Sequence, residues 1–355
     1  MVEKKRDGTG IQAPKVVAIG GGTGLSTLLR GLKAHTPLIT AIVTVADDGG
    51  SSGRLRRELG LLPPGDFRNC IAALADDEAL ITQLFQYRFG QGNGLDGHSF
   101  GNLFITALAA VTGSFERAIL EASRVLAVQG RILPSTLEDV TLVADLKAEG
   151  DGAAPRLTRV RGESAIPKAG QPIDRLFLRP EGVHAYPEAV RALLDADLIV
   201  AGPGSLFTSV LPNLLVQDIR RAVEASAALK LYVCNVATQP GETDHLDVGQ
   251  HAGILQRHVG RGLFPYVLAN DEMISSDEQP RLQPVALHYP ADEGYEVIAA
   301  TVVDRSAPWR HDSVQLAEQV MRFWHTRRHE SRGKPDRGRE AHPLEAEDIV
   351  PVAIL

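Results

Sequence analysis

Cysteine is nearly absent from this chain: Cys70 and Cys234 are the only two among 355 residues. Two thiols can build neither a disulfide scaffold nor a cysteine zinc site, so both read as buried small hydrophobes in a reducing cytoplasm. No run of about 18 apolar residues occurs, which leaves no candidate membrane span. An excess of positive charge is also lacking. The formal charge of -7 and pI near 5.9 argue against a general nucleic-acid binder. Residues 1–14 carry no apolar core of the kind an export signal needs. The eleven histidines form no helical HxxxH pair backed by acids, and the six-residue spacing of His245 and His251 matches no common ligand pattern. No metal site is expected from them. Aromatics are sparse, at 5% of an otherwise ordinary globular composition with 44% hydrophobic and 23% charged residues.

What the chain does have is alternation. Short apolar runs at 16–19 and 39–45 read as buried parallel strands. Helical patterns follow at 25–34, 66–74, 78–88, 103–111 and 115–128. Between 131 and 183 the texture changes to short strands at 140–146, 157–161 and 175–178, separated by Gly, Pro and Asp turns. That segment reads as a small antiparallel excursion. Alternation resumes with a helix from Pro187 to 194, a strand at 198–201, helices at 206–215 and 217–227, and a strand at 229–236. Later strands are expected at 263–269 and 295–303, with a closing helix from 313 to about 325. The expected organisation is a flexible tail at 1–14, one α/β domain at 15–326, and a charged, disordered tail at 327–355. The fold class is α/β, a doubly wound, mainly parallel sheet with an antiparallel β excursion. Right-handed crossovers gather the loops after the strands on one edge, where such sheets bind ligands near the switch in strand order.

The loops on that edge are rich in small and polar residues. Gly20-Gly21-Gly22-Thr23-Gly24 follows the first strand and opens a helix, an arrangement that presents bare N–H groups to an anion. It fails GxGxxG because Leu25 holds the third glycine's place, which argues against an NAD-type oxidoreductase. Asp47-Asp48-Gly49-Gly50-Ser51-Ser52-Gly53-Arg54 ends the second strand. Its carboxylates suit a ribose hydroxyl or a phosphate-bridging Mg²⁺, and its small residues and arginine suit phosphate. The alternative is that Asp47 and Asp48 cap a helix and Arg54 is solvated. In Pro63-Pro64-Gly65-Asp66-Phe67-Arg68-Asn69, Asp66 reads as a helix cap. Arg68, set against the helix dipole, asks for an anion opposite or a salt bridge.

His98, Ser99 and Asn102 crowd the start of another helix. No GxSxG elbow accompanies them, so ligand recognition or simple capping is favoured over a Ser/His catalytic pair. In the second half, Gly202-Pro203-Gly204-Ser205 repeats the strand–turn–helix logic of the first turn. The polar loop from Asn235 to Asp244 follows the next strand, where Thr238, Gln239, Glu242, Thr243 and Asp244 are either ligand contacts or ordinary loop residues. Arg310-His311-Asp312-Ser313 precedes the closing helix, with Arg310 in reach of an anion and Asp312 or Ser313 as its cap.

Taken together, Gly21-Gly22-Thr23-Gly24, the 43–56 run through Asp47-Asp48-Gly49-Gly50, and Pro64-Gly65-Asp66-Phe67-Arg68-Asn69 resemble the YvcK-type gluconeogenesis factors. That family stands within the CofD-like group of 2-phospho-lactate transferases. The likeness continues through His98-Ser99-Phe100-Gly101-Asn102, Leu133-Pro134-Ser135-Thr136, Gly202-Pro203-Gly204-Ser205-Leu206, the 234–243 loop and Arg310-His311-Asp312. It spans about residues 15 to 325. The resemblance implies a Rossmann-like fold, a cytoplasmic location and a nucleotide-sugar ligand, UDP-sugars in particular. It also implies a regulatory role in cell shape and wall synthesis on gluconeogenic carbon. Binding is then expected of Gly21, Gly22, Thr23, Gly24, Asp47, Asp48, Gly49, Gly50, Ser51, Ser52, Arg54, Arg68, Asn69, His98, Asn102, Gly202, Pro203, Gly204, Ser205, Thr238, Gln239 and Arg310. The other reading is a CofD-like, Mg²⁺-dependent transferase of a nucleotide-linked phospholactate-type substrate, with Asp47 or Asp48 placing the metal. A homo-oligomer is expected at the level of fold analogy alone.

Overall fold

A computed structural model describes residues 13–76, 79–91, 94–148, 156–275 and 278–333. Its centre is β1 (Val16–Gly20), five residues buried without exception. Such a run is the signature of a strand covered on both faces. The 20–24 turn leads into α1 (Gly22–Leu32), whose Leu25, Leu28, Leu29 and Leu32 are all buried at the spacing that makes one apolar stripe. Next come β2 (Ile39–Val43), α2 (Gly50–Leu59), α3 (Gly65–Leu74), α4 (Ala79–Gln86), α5 (Phe100–Thr112), α6 (Phe115–Val125) and β3 (Arg131–Pro134).

The excursion is a three-stranded antiparallel sheet of β4 (Thr141–Ala148), β5 (Arg156–Arg161) and β6 (Ile173–Arg179), in the order β5-β4-β6. The chain then returns through α7 (Pro187–Leu194) and β7 (Leu198–Ala201). A π-helical turn at Leu206–Val210 runs into α8 (Leu211–Leu214), followed by α9 (Gln217–Ala225) and β8 (Leu229–Val233). The last elements are α10 (Val248–Val259), β9 (Tyr266–Asn270), β10 (Glu296–Ala300) and α11 (Ser313–Gly333).

The main sheet has seven strands in the order β10-β9-β8-β7-β1-β2-β3, and every pairing in it is parallel. From β1 the chain moves outward to β2 and β3, then returns to β7 on β1's other side and moves the opposite way. The switch in strand order therefore lies between β1 and β7. Right-handed crossovers leaving in opposite directions put α1 and α8 on opposite faces. Accordingly α1 packs between α3 and α11, while α8 packs on β1 and α9. The mainly parallel, doubly wound sheet with its antiparallel excursion agrees with the sequence expectation.

Several boundaries differ from it. Arg131–Pro134 pairs with β2, so the first residues assigned to the excursion belong to the main sheet. Two helices were not expected, α2 and α10. The latter starts at a complete capping box between Asp247 and Gln250, a signal readable in the sequence. The expected 206–215 helix opens as a π turn. The closing helix runs on to Gly333, so the segment from Arg327, expected to be tail, begins as helix. Residues 1–12 and 334–355 of the two expected tails, and Glu78 of the expected 78–88 helix, lie outside the described residues. Among the described residues no helix is long and apolar enough to cross a membrane.

Candidate functional site

A cavity of about 630 Å³ opens at the switch point, over the ends of β1 and β7. Open α/β sheets place their ligands at this position, and the volume falls in the range of roughly 300–1,000 Å³ that small-molecule sites occupy. Its floor is two turns pressed together. A Cβ at Gly24 would lie 2.6 Å from the Gly204 backbone and from the Pro203 carbonyl, so no larger residue allows the two turns to meet. Gly22 has φ +62, the left-handed conformation that glycine takes without strain. Gly21 leaves room for Asp66, whose Oδ2 would stand 2.5 Å from an added Cβ. The glycines thus serve chain packing as much as any ligand. Gly21, Gly22, Thr23, Gly24, Pro203, Gly204 and Ser205 all face the cavity. Gly202 sits behind them, its amide bonded to the Ile19 carbonyl at 2.9 Å.

The loop after β8 forms a second wall. Asn235 ties the parts together, its Oδ1 accepting from the Gly204 N–H at 3.0 Å and its Nδ2 donating to Gln239 Oε1 at 3.2 Å. Thr238 and Gln239 line the cavity, and the Thr238 hydroxyl accepts from the Gln283 N–H at 3.2 Å. Glu242 reaches back to the first wall, where the Ser205 hydroxyl donates to Oε2 and the Thr208 hydroxyl donates to Oε1 at 3.3 Å. Asn69, Arg310 and His311 complete the rim with Arg30 and Trp309. Asp312 caps α11, accepting from the N–H groups of Val314 and Gln315 at 2.9 and 2.8 Å. His311 Nε2 bonds the Cys234 carbonyl at 3.2 Å, and burial pulls its pKa down to about 4. The ring is therefore neutral at physiological pH.

The Asp47–Arg54 segment is placed differently: none of its residues lines the cavity. Gly50 to Arg54 form the first turn of α2. Asp47 Oδ1 accepts from the Gly49 N–H at 2.8 Å. Asp48 Oδ1 accepts from the Ser164 N–H at 2.9 Å, and Asp48 Oδ2 would lie 2.4 Å from a Cβ at Gly162. These carboxylates tie loops together. Ser51 Oγ contacts His98 Nδ1 at 2.9 Å, and Asn102 Nδ2 donates to Ser51 Oγ at 3.1 Å and Ser52 Oγ at 3.5 Å. The expected contacts Ser51, Ser52, His98 and Asn102 thus form a buried polar network joining α2 to α5. Arg54 Nη2 donates to the Asp96 carbonyl at 2.5 Å. Arg68 lays its stem against Gly101 and gives Nη2 to Asn69 Oδ1 at 2.8 Å, so the cavity receives Asn69 rather than Arg68. Asp66 does not cap its own helix, which starts at Pro64 without a side-chain cap.

The electrostatics come from carboxyls that the fold concentrates. Burial, reinforced by Asp47, pushes Asp66 up to about 7, against the opposing pull of its bond from the Gly22 N–H and of Arg68. Glu163, in the turn after β5 at the base of the excursion, is pushed up to about 8 by burial and then by Asp47, Asp66, Glu242 and Asp48. Burial also raises Glu242 and Asp47. Asp47 and Asp48 do not line the cavity, and one oxygen of each already accepts a backbone N–H, so as they stand they do not present a Mg²⁺ site to a ligand there. Among the described residues no group of three or more His, Cys, Asp and Glu side chains converges as a metal site. Sequence reasoning missed Glu163 altogether. Its neighbour Ser164 is held by Asp48 from 116 residues away, and no local pattern marks Glu163.

The comparisons with known proteins agree with this architecture. The profile of the family described as 2-phospho-L-lactate transferase CofD matches residues 16–305. The gluconeogenesis factor of Bacillus subtilis is 48% identical over 320 residues, covering 87% of this chain and 98% of that protein. The gluconeogenesis factor of Halalkalibacterium halodurans is 52% identical over 260 residues, covering 73% of this chain and 78% of that protein. A crystal structure of a UPF0052-family protein from Bacillus halodurans superposes with a TM-score of 0.80 at 44% identity, over 88% of this chain and 100% of that one.

Proposed function

The chain belongs to the CofD family, in the YvcK-type branch of gluconeogenesis factors, and from that premise we propose that it is a cytoplasmic nucleotide-sugar-binding regulatory protein. Its ligand is a UDP-sugar, and its role is to support cell shape and wall synthesis on gluconeogenic carbon. The observation that carries this reading is the cavity of about 630 Å³ floored by the Gly22–Gly24 and Gly204 turns at the switch point. The N-terminus of α1 offers backbone N–H groups and a positive dipole end to a diphosphate. Arg30 and Arg310 supply fixed positive charge at the rim, and Asn235, Thr238 and Gln239 supply polar groups for the rest of the ligand.

The test is a thermal-shift screen of UDP-sugars with and without Mg²⁺. A ligand that binds the folded state raises the melting temperature by mass action. At a hundred times its dissociation constant it adds about 2.7 kcal/mol. No shift with any UDP-sugar overturns the reading. The family description favours a second reading, a transferase of a nucleotide-linked phospholactate-type substrate. Mass spectrometry of the same mixtures decides between them, because a regulatory binder leaves its ligand intact and a transferase consumes it.

A further inference from the structure

The cavity's charges are sorted by side. Arg30 lies in the last turn of α1 and Arg310 just ahead of α11. Those two helices touch so closely that a Cβ at Gly31 would overlap the Ser313 carbonyl oxygen. The cations therefore belong to the α1–α11 side. The carboxyls Glu163 and Glu242 come from elsewhere, the turn after β5 at the excursion's base and the loop after β8. Those two loops are locked to each other, since an added Cβ at Gly241 would lie 2.0 Å from the Pro167 carbonyl, four residues beyond Glu163. Both carboxyls line the cavity, and Glu242 is among the groups that raise Glu163.

Both are also held in place. Glu242 takes the Ser205 and Thr208 hydroxyls, and its loop is braced by Thr243, whose hydroxyl accepts from the Gln239 N–H at 2.9 Å. The turn after β5 is fixed at Ser164 by Asp48. Each carboxyl oxygen has two lone pairs, so acceptor capacity is left over at both residues. A phosphate brought to this side meets carboxyl oxygens, with Glu163 keeping its proton up to about 8, and none of the cavity's arginines. A hydroxyl brought here donates to a carboxyl oxygen.

Building on the nucleotide-sugar reading, the geometry points to Glu242 and Glu163 as the specificity-determining pair that binds the hydroxyls of the sugar and directs the diphosphate toward the α1 N-terminus, Arg30 and Arg310. Sites built to hydrogen-bond a hydroxyl discriminate strongly against ligands without it, because a buried acceptor is then left unpaired.

Isothermal titration of the full chain with UDP and UDP-glucose tests this. Glu242→Gln and Glu163→Gln keep the shape of each side chain. Each is expected to weaken UDP-glucose at least tenfold while UDP weakens less than threefold or binds more tightly. Arg310→Ala is expected to weaken both ligands by the same factor. An equal loss for UDP and UDP-glucose in the two Gln variants overturns the inference and leaves the nucleotide reading standing. So does an unchanged affinity for UDP-glucose. A wild-type chain that binds neither ligand overturns the reading and the inference together. Should Glu242→Gln fail to fold by circular dichroism, Glu242→Asp shortens the reach without removing the charge, and the same split between the two ligands is required of it.

Discussion

The turn after β1 and the loop after β2 share a composition. Gly20-Gly21-Gly22-Thr23-Gly24 and Gly49-Gly50-Ser51-Ser52-Gly53 are both small, both follow a buried parallel strand and both open a helix. The first lines the cavity and the second does not. In the β1 turn the missing side chains let two turns meet beneath open space. In the β2 loop they let the chain fold into itself: a Cβ at Gly53 would lie 1.8 Å from the Asp48 carbonyl oxygen, and one at Gly65 would lie 2.4 Å from Ser52 Oγ. Small residues permit close approach, and composition does not say whether the approaching group is a ligand or the protein.

Asp66 joins the two loops, accepting from the Gly22 N–H of the first and facing Asp47 of the second, so it offers the sharpest way to test the comparison. Folded Asp66 holds its proton up to about pH 7, whereas the unfolded chain releases it near pH 4. Between those values the native state binds more protons, so this contribution to stability is full below about pH 4 and is lost as pH rises through 7. Asp66→Asn should remove this pH-dependent loss. Urea unfolding should find the variant matching wild type at pH 4 and exceeding it by up to roughly 4 kcal/mol at pH 8. A variant weaker than wild type at pH 8 would mean that the Gly22 bond to a charged oxygen outweighs burial.

Next in size is a pair of alanine substitutions. Gly24→Ala forces a Cβ against the Gly204 backbone and should cost about 2–3 kcal/mol. Gly50 has nothing within 4 Å of an added Cβ and a φ of +48, so Gly50→Ala should cost only the left-handed strain of about 1 kcal/mol. Denaturant midpoints that fall equally would erase the distinction between the two loops. The smallest expected effect is at Asp48→Ala, which removes the acceptor of the Ser164 N–H and should cost about 1 kcal/mol. Hydrogen exchange should quicken at Ser164 and leave the Gly22 amide unchanged. Exchange that quickens at Gly22 would show that the β2 loop also supports the cavity floor.

The strands and most helices were legible because their signals are local. The all-apolar run Val16-Val17-Ala18-Ile19 and the stripe Leu25, Leu28, Leu29, Leu32 announce a strand and a helix without any partner. The capping box at Asp247 and Gln250 is an equally local signal for the start of α10. Glu163 is another matter. Nothing near it in the chain marks it, and only the pairing of β4 with β5 and the Asp48–Ser164 bond bring it to the cavity. Arg68 and Asn69 show the limit within one helix turn, where adjacent residues point to different surroundings and the pattern of types does not say which faces the ligand.

By itself the sequence determined the class of the fold, the family, and the edge of the sheet where loops would gather, since periodicity, capping chemistry and crossover handedness act over short stretches of chain. The tertiary structure alone decided which small-residue loops stand open and which close on themselves, because that depends on what the fold presses against each glycine. It also decided that five carboxyls from three loops and a helix share one neighbourhood. Burial and mutual repulsion then shift Asp66 and Glu163 into the physiological pH range, and no reading of residues in order carries those distances.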